Sequence, residues 1–569
     1  MRFRESILGC LAALTATLDF GGDAPAAPTE NLSAALHAID GAEMLQHIKV
    51  LASDDFEGRS PGTNGETLTV EYLVRQFKKL GLKPGNQDGS YTQTVPVVAY
   101  KSEPRATFRI GERTIELKSP SELVAWSYQP TPEVRVGDSE LIFVGYGVIA
   151  PEYGWDDYKG LEVRGKTLVV LINDPPVPDP GDPSKLDDKM FGGRAMTYYG
   201  RYTYKCEMAA RLGAAAVIIV HETGPAAYPW SVVVSTWAGE NFSLDTPGRN
   251  PDFPTVSGWI TFDVARDLFA AGGRNFEAMK QAAVSKDFKP VSLGGVATFQ
   301  VRNTWRAAES RNVVARIEGS DSRLKDDHVI YSAHWDHFGW DPKLPGAKRE
   351  QIKHGALDNA SGVAALLALA RGFQVLPHAT KRSVLFIAPT AEERGWLGAK
   401  FYAAHPLYPL RTTLADINID ILNPWGRTRD VEIVGSGKST LDDITSREAA
   451  AQGRVAKPDS HPERGYFYRG DQLQFARVGV PVLWIKTGTE FVGRPQGYGD
   501  QKISDYIARD YHQVTDTVRA DWDLSGAVED VRLLFRVGHA LADGNEYPQW
   551  KPGAEFKAIR DRSMSSDLR

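Results

Sequence analysis

The chain has 569 residues, of which 42% are hydrophobic, 10% aromatic and 24% charged; that balance excludes a largely disordered, collagen-like or polytopic membrane protein. Its 66 Lys and Arg against 72 Asp and Glu leave a net charge of −6, so no strongly basic field exists to gather nucleic acid or anionic lipid. Two cysteines exclude a disulfide scaffold and a thiolate zinc finger, so a bound metal must be held by His, Asp and Glu.

In chain order, Arg2 and Arg4 precede an apolar run from Ile7 to Leu18, too short to span a bilayer, and then small residues and prolines from Ala24 to Pro28. This order reads as a secretory signal peptide over residues 1–27, hence export to a bacterial periplasm or the medium with no integral membrane segment after cleavage. Cys10 stands in a lipidation-like setting but before most of the apolar run; after cleavage only Cys206 remains, and no internal disulfide is possible. From Leu36 to Leu80 apolar residues recur at helical spacing, closed by Gly81 and interrupted by the Gly/Pro loop Phe56 to Thr63. Short alternating runs from Pro96 to Val124 suggest strands. Compact apolar runs at 141–147, 167–172 and 215–220, with a helix at 206–212 and a Pro/Asp loop at 174–187, suggest a β-rich module over 137–290 inserted in a larger domain. The larger domain then comprises 28–136 and 291–556, and the charged residues 557–569 are expected to form a mobile tail.

From Asn312 strand and helix alternate. Apolar runs at Val329–Ser332, Ser383–Ala388, Ala415–Ile419 and Pro481–Ile485 predict parallel strands, and Gly362–Ala370 predicts a helix between them. The fold class expected is α/β, a mixed, mainly parallel sheet flanked by helices. Ligands of such sheets bind outside the carboxyl ends of the strands. There stand His334-Trp335-Asp336-His337, Glu392-Glu393 and Asp420, with Asp358 before the long helix and Tyr511-His512 in a later polar loop. Taken singly, each has an ordinary explanation: a core histidine, a helix cap, a solvated acidic pair or a turn residue. Together they put every group of metal-ligand type on one rim, in the N/O chemistry zinc takes without thiolates. No H-E-x-x-H occurs.

The order H-x-D, D-x-x-S-G, E-E, N-x-D and Y-H resembles the co-catalytic di-zinc peptidase family, which includes secreted bacterial aminopeptidases, glutamate carboxypeptidase and the non-catalytic transferrin receptor. Leu51 to Arg59 resembles the family's N-terminal motif. The insert, with Val144-Gly145-Tyr146-Gly147 and Arg164-Gly165-Lys166, is similar to a protease-associated domain. The resemblance implies two Zn2+ ions per chain: Asp358 bridging them, His334 and Asp420 completing one site, Glu393 and His512 the other. It further implies Glu392 as general base, Asp336 hydrogen-bonded to His334, Tyr511 stabilising the tetrahedral intermediate, and a cis peptide at Asp358-Asn359. Asp471 and Arg469 match a substrate-facing loop, where the family often has His and this chain has Gln472.

The function expected is a metallo-exopeptidase acting on peptide or protein substrates, an aminopeptidase first and a carboxypeptidase of the same family second. The alternative of another class is a receptor-like binding protein on the same scaffold. Cobalt or manganese would fit the same ligands. The aromatic stretch Tyr198 to Tyr204, with Trp230 and Trp237, either borders the cleft or packs internally. Side-chain preference and oligomeric state are not encoded in any motif.

Overall fold

The computed structural model of the protein describes residues 32–245 and 250–565; the expected signal peptide and Cys10 lie outside them. The four predicted strands are present as His328–Ser332, Ser383–Ala388, Thr413–Asn418 and Val482–Thr487, all mutually parallel, in the order 482, 413, 328, 383 across the sheet. Their residues are apolar on both faces. Val384, Phe386 and Ala388 belong to one core, while Leu385 and Ile387 belong to the core on the opposite face. A strand buried on both sides needs helices on both sides. Ser361–Gln374, Ser525–Asp543, Gly41–Leu51 and Asn64–Lys79 cover the first face; Leu397–Ala404 and Gln472–Arg477 cover the second.

The β-rich module has its own core, built on Thr167–Leu171, Ala216–His221 and Val256–Thr261, parallel neighbours that continue the same sheet. Its reach differs from the 137–290 expected. The core draws in Ala106, Phe108, Ile110, Leu123 to Trp126, Phe299 and Val301, and Leu123–Trp126 pairs with Val256–Thr261. Two long strands, Thr92–Ile110 and Val291–Ile317, pair antiparallel from Thr92↔Val313 to Ile110↔Gly295 and run through both units. At one end Val313–Ile317 pairs with Ser383–Ala388; at the other, Val291–Arg302 pairs with Glu133–Phe143.

The expected mobile tail is also corrected. Lys557–Ser565 is a helix. Its Arg560 is buried and donates to the carbonyls of Leu410 and Thr413, both at 2.9 Å, which fixes a segment whose composition alone is that of a solvated end. No helix among the described residues is long and apolar enough to cross a membrane.

Candidate metal centre

Because the strands are parallel, their carboxyl ends share one edge, and the side chains just beyond them meet. His334 follows His328–Ser332 by two residues, Asp420 follows Thr413–Asn418 by two, and Glu392 and Glu393 follow Ser383–Ala388. Asp358 stands in the kinked turn before the helix Ser361–Gln374, and His512 lies in the turn after Tyr498–Arg509. His334 Nε2 lies 3.4 Å from Asp358 Oδ1, 3.5 Å from Asp420 Oδ1 and 3.9 Å from Glu392 Oε2. His512 Nε2 lies 3.4 Å from Asp358 Oδ2 and 3.1 Å from Glu393 Oε2. Asp358 thus directs one oxygen to each histidine. One ligand atom from each of His334, Asp358 and Glu393 falls within 4.8 Å of the others.

Both histidine Nε2 atoms and Asp420 Oδ1 are buried without a hydrogen-bond partner. Buried polar atoms are costly when unmet, and cations held at this rim would meet them with a donor set suited to zinc. The site's electrostatics agree. Burial alone would depress His334, but Glu392, Asp336, Asp358 and Asp420 hold it well above its usual range. Burial would raise Asp358, but His334 and His512 hold it well below the usual carboxylate range. Burial, reinforced by neighbouring carboxylates, pushes Glu392 and Glu393 well up.

The backbone around the ligands is unusual. The Asp358-Asn359 peptide is cis, as the resemblance implied, and Ala391, Ile421 and His512 have φ of 54°, 58° and 61°. For non-glycine residues, and above all a β-branched one, this left-handed region costs about 1–2 kcal/mol each. Gly355, at φ 56°, has no room for a side chain: a Cβ would lie 2.2 Å from the Asp358 carbonyl.

Three residues that hold the rim carried no assigned role in the sequence. Arg59, fully buried, donates to the carbonyls of Leu51, Trp335, His354 and Gly355 at 2.6–2.9 Å. It thereby ties the His334 and Asp358 loops together, which accounts for the N-terminal motif. His337 Nδ1 is 2.6 Å from Glu393 Oε1. Asp516 accepts from the Leu357 and Asp358 amides at 3.0 and 3.1 Å. The run H-W-D-H and the spacing from His512 to Asp516 were visible signals; their partners were not.

Other expectations are modified. The Asp336 carboxylate is 3.7 Å from His334 Nδ1, which instead contacts the Asp336 carbonyl at 3.2 Å. Asp336 Oδ1 accepts from the Glu392 amide at 3.0 Å, so it anchors the acidic pair. Tyr511 lines the cleft, its ring 3.8 Å from that of His512. Arg469 also lines the cleft, between Tyr228 and Tyr466 at 5.3 and 5.6 Å. Asp471 is buried beside the cluster with both oxygens unpartnered, its charge acting on Glu392. Gln472 faces inward, bonded to Asn418 and the Phe467 carbonyl. Of the aromatic stretch, Tyr202 and Trp237 line the cleft, while Tyr198, Tyr199 and Tyr204 pack on one another. The cleft between the rim and the inserted module has a cavity volume of about 150 Å³.

This sheet carries a rim of His and carboxylate groups along one edge. Residues 312–535, the segment that holds the whole rim, match Peptidase family M28. Aminopeptidase NAALADL1 of Mus musculus is 29% identical over 197 residues, covering 32% of this chain and 24% of that protein. Vacuolar membrane protease of Clavispora lusitaniae (strain ATCC 42720) is 33% identical over 100 residues, 18% of this chain and 8% of that protein. The chain thus spans a quarter or less of the length of these curated relatives. In fold it resembles an aminopeptidase from Aneurinibacillus sp. strain AM-1, with a TM-score of 0.52 at 19% identity, covering 90% of this chain and 96% of that chain.

Proposed function

We propose that this protein is a zinc-dependent exopeptidase that releases N-terminal residues from peptides, exported to the periplasm or medium. The observation that carries the reading is the convergence of His334, Asp358, Glu393, Asp420 and His512, with His334 Nε2, His512 Nε2 and Asp420 Oδ1 buried and without a hydrogen-bond partner. His334, Asp358, Glu393, Asp420 and His512 would hold the zinc, which would supply Lewis-acid polarisation and an activated water at neutral pH.

The chain's own residues do the rest. Glu392, facing the cleft and anchored through its amide by Asp336, takes the proton of the attacking water and returns it to the leaving amine. The Tyr511 phenol, kept protonated by burial, donates to the developing oxyanion. The carboxylates not consumed by metal, Glu392 and Asp471, attract a free substrate ammonium. Tyr202, Tyr228, Val232 and Trp237 of the inserted module wall the cleft and restrict it to chain ends.

Elemental analysis alongside hydrolysis of free and N-blocked peptides tests this. The expected result is near two zinc ions per chain and cleavage only when the amine is free. Absence of both metal and turnover would leave a receptor-like scaffold.

A second reading, a carboxypeptidase, is favoured by Arg201 and Arg469. Both line the cleft, both have a buried Nε without a partner, and neither has a carboxylate partner among the described residues. Such a pair would receive a terminal carboxylate. Cleavage of N-blocked peptides from their carboxyl end, lost in Arg201→Gln, would replace the first reading with this one.

A further inference from the structure

We infer that the inserted module is a working part of the metal centre. Thr236, on its helix Trp230–Trp237, is a positioning residue for His512, so docking of that helix and filling of the His512–Glu393 position are linked. The inference rests on the metallopeptidase reading.

The geometry is direct. His512 turns Nε2 toward Asp358 and Glu393, and its Nδ1 lies 2.9 Å from Thr236 Oγ1, 276 residues away in the chain. An imidazole that ligates through Nε2 carries its hydrogen on Nδ1, and the acceptor of that hydrogen sets tautomer and ring plane. That acceptor is supplied by the insert. His512 also needs holding, because its left-handed backbone, φ 61°, does not rest in a broad basin.

Thr236 does not reach the rim alone. Its carbonyl accepts from Arg394 Nη1 at 2.6 Å, and Arg394 directly follows Glu393. The Ser235 carbonyl accepts from Lys353 Nζ at 2.8 Å, and Ser235 Oγ accepts from Gln513 Nε2 at 3.4 Å. Ser235 and Thr236 lie in the helix's last turn, where carbonyls lack intrahelical partners and the dipole favours cations. Two buried basic side chains of the catalytic unit, Lys353 and Arg394, donate to those carbonyls. The helix end therefore grips the chain beside both Glu393 and His512, and whatever fixes one side of the seam fixes the other. Coupling of this kind is reciprocal: zinc tightens the docked insert by the same factor that docking tightens zinc.

The full chain tests this with Thr236→Val, which keeps the shape and removes the hydroxyl, and Thr236→Ser, which keeps the hydroxyl. Zinc is titrated against a competing chromophoric chelator. Wild type and Thr236→Ser should bind two ions alike; Thr236→Val should hold one ion as before and the other about 10–100-fold more weakly. In wild type, zinc should slow hydrogen exchange of the 230–237 amides, a readout independent of activity and of any variant's folding. Equal zinc curves for wild type and Thr236→Val overturn the inference, as does Thr236→Ser weakening as much as Thr236→Val, or amide exchange at 230–237 that ignores zinc. Wild type that takes up no zinc overturns the metallopeptidase reading itself, whereas wild type with two ions and an indifferent Thr236→Val overturns this inference alone.

Discussion

In the inserted module Lys205, Asp157 and Asp174 are buried as deeply as the histidines and carboxylates of the rim, but their polar atoms are answered. Lys205 Nζ donates to the carbonyls of Tyr146 and Asn173 at 2.6 and 3.1 Å. Asp157 accepts from the Val148 amide and the Trp155 indole, and Asp174 from the amide and hydroxyl of Thr197. Burial pushes Lys205 down to about 8 and the two aspartates up to about 7. At the rim, burial is matched but satisfaction is not: His334 Nε2, His512 Nε2 and Asp420 Oδ1 have no hydrogen-bond partner. A shifted titration is thus common to a structural knot and a reactive site. What separates them is whether the protein itself completes the valences.

Glu392→Gln probes the rim most strongly. It should keep its zinc and lose about 10²–10⁴-fold in turnover, read by metal content and single-turnover rates; a variant of unimpaired rate would remove Glu392 from the chemistry. Lys205→Met strikes the answered cluster. It leaves two buried carboxylates uncompensated and should cost about 3–5 kcal/mol in urea unfolding. The opposite sign is expected at Asp420→Asn. In chelator-treated protein it should stabilise by about 1 kcal/mol, since a buried carboxylate crowded by Asp358 no longer carries charge, while zinc uptake falls. If both variants destabilised the metal-free protein alike, the distinction between the two clusters would fail.

The mildest change is Asp416→Asn. Burial holds the Asp416 carboxyl up to about 8, with one oxygen accepting from Ser332 at 2.7 Å. Its folded pKa is raised above an unfolded value of about 3.9. The stability it contributes is therefore full below about pH 4 and is lost as pH rises through about 8. The Asn variant, neutral throughout, should show a flatter stability curve between pH 4 and 8 than wild type, with the two similar at the acid end.

The rim was readable from sequence because chemistry followed directly on apolar runs: His334, Glu392 and Asp420 each stand just past a strand, and parallel strands share an edge. What holds the rim was not readable. Thr236 meets His512, and Arg59 meets His354, across hundreds of residues, and no local periodicity reports such contacts. The reach of the inserted module was misjudged for a different reason. The middle of Val291–Ile317 is exposed at Trp305, Arg306 and Glu309, so a continuous strand carries the polar pattern of a linker. At the carboxyl end a single buried guanidinium, Arg560, overrides the composition of its segment.

The paired strands Thr92–Ile110 and Val291–Ile317 behave as a common girder. They begin in the core beneath the rim and end in the core of the insert, without a linker between. A hinge built from loop dihedrals is therefore absent from this connection. Movement between rim and insert through this connection would have to twist the strands themselves, which Glu240–Leu244 widens to three along Val97–Lys101, so the deformation is spread over many residues.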